Sequence, residues 1–109
     1  MASLDQDFEL WDGNGAVQVF DVVGNCAAGT AAWKAVDALV ATTPTTVSIT
    51  PAVGAYDTGA GTTPVTLTIA ASDFNGKAST YNHELVITVG GVPTTVATGT
   101  LWVHASLVT

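Results

Sequence analysis

The last quarter of the chain alternates apolar and polar residues with the two-residue period of a β-strand. Over 81–89, one face is expected to carry Tyr81, His83, Leu85, Ile87 and Val89. A Gly-Gly pair at 90–91 precedes a second alternating run over 92–103, in which Leu101 and Val103 share a face and Val96 and Trp102 take the opposite one. Because glycine tolerates the positive φ angles of two-residue turns, the segment predicts a β-hairpin. Leu85, Ile87, Leu101 and Val103 should form one core layer.

Further strands are predicted by β-branched and alternating residues, over 8–11, 16–23, 46–50 and 65–70. The segment 31–40 fits either a helix or a strand, and its surroundings favour a strand with Trp33 facing the core and Lys34 outside. Asp12–Gly15 has the composition of a hairpin turn.

Two connections between these strands are also predicted. The stretch 51–64 reads as a long glycine-rich loop, and 72–76 as one helical turn capped by Ser72 and ended by Gly76. The fold class that follows is all-β, an immunoglobulin-like antiparallel β-sandwich of about seven short strands. Residues 1–7 are expected to form an N-terminal arm and residues 8–109 the sandwich domain.

Composition excludes several classes of partner. The 109 residues carry a net charge of -7, with Lys34 and Lys77 as the only basic side chains. Nucleic-acid binding requires several Lys or Arg side chains that neutralise phosphates, and anionic membranes attract the same groups. We therefore expect neither nucleic acid nor membrane as a partner. No apolar run approaches the roughly 18 residues of a membrane-spanning helix.

The apolar character of the chain is high for a protein of this size. Hydrophobic residues make up 48% of it, mean hydropathy is +0.43, and charged residues make up 10%, against about 25% in an ordinary soluble domain. Part of the surface is therefore expected to be buried against other chains. Those chains are expected to include further copies of this one, as a homo-oligomer.

Candidate catalytic and metal-binding groups are sparse, so we expect no enzyme activity, cofactor or metal. Cys26 is the only cysteine, which rules out an intrachain disulfide, and no base lies near it in the sequence. His83 and His104 lack the close spacing of zinc ligands. The carboxylates are explained by turns or solvated strand faces. The alternatives are an Asp73/Glu84 acid pair and a weak calcium site, formed either by Asp5, Asp7 and Asp12 or by Asp57 with its loop.

Contacts with a partner are expected from large side chains and from segments with little structure of their own. Three tryptophans exceed what one small core needs, and Trp102 lies opposite the core-forming Leu101 and Val103. The arm and the 51–64 loop are expected to become ordered against neighbouring subunits. The candidate interface residues are Leu4, Phe8, Trp11, Tyr56 and Trp102.

Four motifs in the C-terminal half resemble the small immunoglobulin-like domains of tailed-phage virion proteins. They are Val65–Ile69, Ser72-Asp73, Tyr81–Ile87 and Val96–Val103, spread over a stretch of about 40 residues. The pattern is similar to the N-terminal sandwich of upper baseplate proteins and to short head or tail proteins. The resemblance implies a structural virion protein on the outer surface of the particle, above all a capsid decoration (cement) protein that binds the major capsid protein. A tail or baseplate adaptor and a carbohydrate-binding module on the virion are the alternatives.

Overall fold

The computed structural model describes residues 4–40 and 42–105, and within them every regular element is a β-strand. The strands are β1 (Leu4–Asp5), β2 (Phe8–Trp11), β3 (Ala16–Val23), β4 (Thr30–Asp37), β5 (Thr46–Ile49), β6 (Ala52–Val53), β7 (Thr62–Ile69), β8 (Ser79–Val89) and β9 (Val92–His104). Over the same residues there is no helix long and apolar enough to cross a membrane.

The strands form two sheets that face each other, as an immunoglobulin-like sandwich requires. One sheet has the order β1-β9-β8-β4-β5, with β2 also paired to β9, and the other has the order β3-β7-β6. The all-β sandwich is therefore confirmed, with nine strands in residues 4–40 and 42–105 instead of about seven. It is not antiparallel throughout, because β1 and β2 both run parallel to β9.

Trp33 is at the centre of the core, with 1% of its surface exposed, and it lies on β4 as predicted. Phe74 covers its edge, with ring centroids 6.4 Å apart, and Phe74 also contacts Tyr81 edge-on at 5.2 Å. The Tyr81 hydroxyl donates a 2.7 Å hydrogen bond to the carbonyl of Lys77, four residues upstream. This is the tyrosine corner of immunoglobulin-like sandwiches.

The predicted hairpin forms, with φ angles of 59° and 80° at Gly90 and Gly91. The predicted core layer of this hairpin is also confirmed, since the side chains of Leu85, Ile87, Leu101 and Val103 are all buried.

A β-bulge interrupts the alternation expected of β9. The pairing register shifts between Leu85 and Val86 of β8, which leaves Val96 as the extra residue of β9. Val96 and Ala97 are consecutive, and both are buried. The expectation that Val96 shares the outer face with Trp102 is therefore wrong, because a bulge breaks the alternation and turns two successive side chains toward the core.

Strand pairing begins earlier in the chain than predicted. Leu4 and Asp5 pair with Ala97 and Thr98 of β9, and the Gln6 amide donates to the Thr98 carbonyl at 2.8 Å. From Leu4 onward, the segment assigned to an arm is thus an edge of the larger sheet. The sequence pattern missed it because two residues are too few to show a period.

The 51–64 segment is also more regular than predicted. Ala52–Val53 forms β6 against β7, and a bridge between Asp57 and Thr62 closes a tight turn. The Asp57 carboxylate accepts hydrogen bonds from two backbone amides of that turn, and Gly61 adopts a φ of 71°. An aspartate cap and a left-handed glycine therefore order a segment that lacks hydrophobic periodicity.

Two other turns differ from their predictions. Asp12–Gly15 closes no hairpin, because β2 pairs with β9 whereas β3 pairs with β7, so this turn connects the two sheets. The segment 72–76 forms turns and no helix. Ser72 was predicted to cap this segment, but the capping side chain is Asp73, whose carboxylate accepts a hydrogen bond from the Ala70 amide at 2.8 Å. This bond from a side chain to the backbone three residues earlier offers the chain an alternative to a helix.

Candidate interaction face

The outer face of the larger sheet brings two half-exposed tryptophans together. Trp102 of β9 has 41% of its surface exposed, and Trp11 of β2 has 46%. The parallel register aligns Glu9 with Trp102 and Trp11 with His104, so all four residues occupy neighbouring positions. Strand alternation turns them outward because Leu10 and Val103, the adjacent residues, are buried in the core. We call Glu9, Trp11, Trp102 and His104 the tryptophan patch.

Contacts within the tryptophan patch join three of its side chains, those of Glu9, Trp11 and His104. The Trp11 and His104 rings lie 4.9 Å apart between centroids, tilted by 39°. His104 Nε2 also lies 2.8 Å from the Glu9 carboxylate. Both partners of this contact are well exposed, so it contributes little to stability. Its effect is to restrict the rotamers of Glu9 and His104, which lowers the entropy that these two side chains lose when a partner binds.

A polar groove of about 730 Å³ continues from the tryptophan patch across the same face. Trp102 lies two residues beyond Thr100, which lines the groove, so the two features adjoin along β9 at a spacing of about 7 Å. The polar side chains of the groove are Asp7, Lys34, Asn82, Glu84, Thr98 and Thr100. They supply both donors and acceptors, with Lys34 directly opposite Glu84 in the β4–β8 register.

His83 lies directly beneath this groove and is bonded through both ring nitrogens. Trp33 Nε1 donates to His83 Nδ1 at 3.2 Å, and His83 Nε2 donates to the Gln6 carbonyl at 2.5 Å. Since the indole can only donate and the carbonyl can only accept, these bonds select the tautomer with its proton on Nε2. Only 3% of the residue is exposed. His83 therefore fastens the N-terminal edge strand to the core.

The position of His83 corresponds to a disulfide position in antibody domains. There the corner tyrosine precedes the second cysteine of the inter-sheet disulfide by two residues, the spacing of Tyr81 and His83 here. Phe20 of β3 reaches across from the other sheet, with ring centroids 6.2 Å from His83. The ring contact with Phe20 thus joins the two sheets where the covalent link would, whereas the two hydrogen bonds of His83 stay within its own sheet.

Gly99 permits the edge strand to approach His83 so closely. A Cβ atom at position 99 would collide with the carbonyl oxygen of Gln6. The chain bends there between β1 and β2, and the Asp7 carboxylate accepts the hydrogen bond of the Thr100 amide at 2.8 Å. The strand can therefore change course without leaving this β9 amide unpaired.

The structure brings two of the five predicted interface residues to one face. Trp11 and Trp102 are neighbours in the tryptophan patch, whereas Phe8 faces the core, 5.0 Å from the His83 ring between centroids. Tyr56 is half-buried in the connection between β6 and β7, on the other sheet. Leu4 pairs with Ala97 in β1. The role of each in an interface stays a prediction.

The remaining reactive groups have structural partners or positions. Cys26 is buried in the loop after β3, where its amide donates to the Thr63 hydroxyl at 2.9 Å. Burial raises the pKa of Tyr81 above its ordinary value of 10.0, and the charge of the Asp37 carboxylate adds to the effect. No group of three or more His, Cys, Asp or Glu side chains in residues 4–40 and 42–105 is placed to hold a metal ion.

The groove could not be predicted from the sequence, although the outward position of some of its residues could. Lys34 and Glu84 were each expected on an outer strand face. Their proximity depends on the pairing of β4 with β8, across 50 positions, and alternation within one strand carries no information about the partner strand.

Comparison with known proteins assigns the chain to no family: no protein-family model matches it, and no curated protein matches it significantly. The surface itself is therefore the guide to function.

Proposed function

We propose that this chain is a structural virion protein, a capsid decoration (cement) protein that binds and stabilises the head shell of a tailed phage. The observation that supports it most is the tryptophan patch, which exposes two large aromatic side chains on the outer face of the larger sheet. The resemblance of the C-terminal motifs to phage immunoglobulin-like domains supplies the class of partner. The proposal requires docking through surface burial, without a chemical step.

Burial of the two tryptophans supplies a substantial part of the docking energy. A tryptophan presents about 150–250 Å² for burial, so the exposed fractions of Trp11 and Trp102 leave about 60–110 Å² on each. At about 25 cal/mol per Å², covering each residue contributes roughly 1.5–3 kcal/mol. Tryptophans in ordered surroundings are also the residues most enriched among binding hot spots.

Co-sedimentation of the purified chain with phage heads from its source tests the proposal. We expect the wild type to pellet with heads at a fixed ratio and to raise their disruption temperature. Trp102→Ser should weaken binding by about ten- to a hundredfold, which corresponds to about 1.4–2.7 kcal/mol. Val92→Ser removes an exposed apolar side chain from the tip of the β8–β9 hairpin, away from the tryptophan patch, and should leave binding unchanged.

Particle location separates this proposal from its structural rival. A tail or baseplate adaptor would use the same patch, but a cryo-EM map of the intact particle would place the sandwich on the tail. Absence of the chain from purified particles, judged by mass spectrometry, would refute both forms of the proposal.

Carbohydrate binding is the second candidate, and the position of the groove favours it. Sugar sites combine an aromatic surface with polar groups that bond hydroxyls, and Trp102 adjoins the groove that holds Asn82 and Glu84. A glycan array with the purified chain tests it, followed by titration of tryptophan fluorescence. Glycan binding abolished by both Trp102→Ser and Asn82→Ala, with head attachment unaffected by Asn82→Ala, would assign the groove to glycans as a function separate from head attachment.

A further inference from the structure

The free edge of β3 differs from every other sheet edge in the described part of the chain. It is eight residues long, whereas the other edge strands, β1, β2, β5 and β6, have four residues or fewer. It contains no Lys and no Pro, the residues that commonly protect an edge. In antibody constant domains strand A flanks this edge. Here both strands that precede β3 pair with β9 in the other sheet.

The backbone groups on this edge can be identified from the β3–β7 ladder. The Gly24 amide donates to the Gly61 carbonyl at 2.9 Å, which shows that even-numbered residues bond toward β7. Asp21 lies opposite Pro64 of β7. Pro64 has no N–H, and its carbonyl accepts from the Gly54 amide on the side of β7 away from β3, so it forms no hydrogen bond with Asp21. The odd-numbered residues of β3 therefore direct their N–H and C=O groups away from β7.

The side chains of the same residues form an apolar surface. Val17, Val19 and Val23 have 66%, 47% and 59% of their surfaces exposed, and Asp21 is the only charged residue of the strand. Unpaired backbone groups and exposed valines on one long strand are the features of a strand that pairs with another chain.

We propose that β3 pairs with β3 of a second copy, antiparallel, across a two-fold axis beside Gln18. In this register Val17 lies opposite Val19 of the second copy, which places apolar side chains against each other. The two Gln18 residues meet on the axis, where their amides can both donate and accept. The two three-stranded sheets become one sheet of six strands.

Charge disfavours registers whose axis lies close to Asp21. With the axis beside Gln18, each Asp21 lies opposite Gly15 of the other copy, and the two Asp21 residues are about 20 Å apart, beyond the screening length of about 8 Å. An axis beside Phe20 would bring them within about 7 Å and make them repel. An acidic chain can therefore pair with itself here, because this edge carries little of its charge.

Molar mass in solution tests the pairing. Light scattering should give twice the 11.0 kDa of one chain at about 100 µM, above the dissociation constants of ordinary specific interfaces. Val19→Pro removes an N–H that faces away from β7, so the fold should persist while dimerisation weakens at least about tenfold. Val19→Lys provides a second variant if the proline disturbs folding, and Val92→Lys adds the same charge to an exposed valine elsewhere. A monomeric wild type would overturn the proposal, as would equal effects of the two lysine variants.

Cysteine cross-linking tests the register. Residues at a non-hydrogen-bonded antiparallel pair have Cα atoms about 4.5 Å apart, which suits a disulfide. Gln18→Cys should therefore give a covalent dimer on mild oxidation, whereas Val17→Cys, one residue away, should not. The wild type serves as a further control because Cys26 is buried. Cross-linking through Val17→Cys but not Gln18→Cys would refute this register. These outcomes are independent of whether the protein binds a capsid.

Discussion

Replacing His83 with leucine is expected to destabilise the fold by about 1–4 kcal/mol. The two side chains have similar volumes, so the change tests the two hydrogen bonds more than the packing. It leaves two groups without the imidazole as a partner: the Trp33 indole N–H, on a residue that is 1% exposed, and the Gln6 carbonyl. Each unsatisfied buried group costs about 1–3 kcal/mol, and the greater apolarity of leucine returns about 1–2 kcal/mol.

A double-mutant cycle isolates the Trp33–His83 interaction. Trp33→Phe removes the indole donor, so the double variant should be less destabilised than the sum of the single changes by about 1–3 kcal/mol. Urea unfolding followed by far-UV circular dichroism gives each free energy of unfolding. Trp102→Phe combined with His83→Leu is the matched control, and those effects should add within about 0.5 kcal/mol because Trp102 faces outward. Additivity in both cycles would show that the indole bond contributes nothing specific.

Three further predictions concern stability and binding. Leu85 is fully buried, so Leu85→Ala should cost about 2–5 kcal/mol in urea unfolding, and a cost below about 1 kcal/mol would contradict its place in the core. Because the pKa of Tyr81 is raised in the folded state, its contribution to the free energy of unfolding is complete below pH 10.0 and should be lost as pH rises above that value. Tyr81→Phe should lower the free energy of unfolding by about 0.5–1.5 kcal/mol at neutral pH and flatten this alkaline decline in thermal melts. Micromolar protein should not shift DNA or RNA in a low-salt gel, and a shift that fades with added salt would refute the reasoning from charge.

The strands could be predicted where side chains repeat over several residues. The bounds of β2 and β3 agree with the predictions, and in β4 the inward Trp33 and outward Lys34 identify the buried face. Hydrophobic alternation also identified the core layer of the β8–β9 hairpin. These features depend on local periodicity, which the sequence displays directly.

Pairing between distant strands could not be predicted in the same way. The parallel union of β1 and β2 with β9 depends on Gly99, which allows close approach, and on His83, which binds the Gln6 carbonyl. No local sequence pattern around Gly99 or His83 identifies the distant residue that each one contacts. The tryptophan patch illustrates the same limit, since Trp11 and Trp102 were each proposed as interface residues but meet only because β2 aligns with the end of β9.

The parallel pairing of the first strands with the last has a mechanical consequence. Tension applied between the N-terminal end of β1 and the C-terminal end of β9 acts along the two strands in opposite directions. The hydrogen bonds that join β9 to β1 and β2 are then loaded in shear and must fail together, whereas the bonds of a hairpin pulled at its open ends break one after another. The β1–β2 edge therefore resists stretching, with the partly buried bond from His83 to Gln6 at its midpoint.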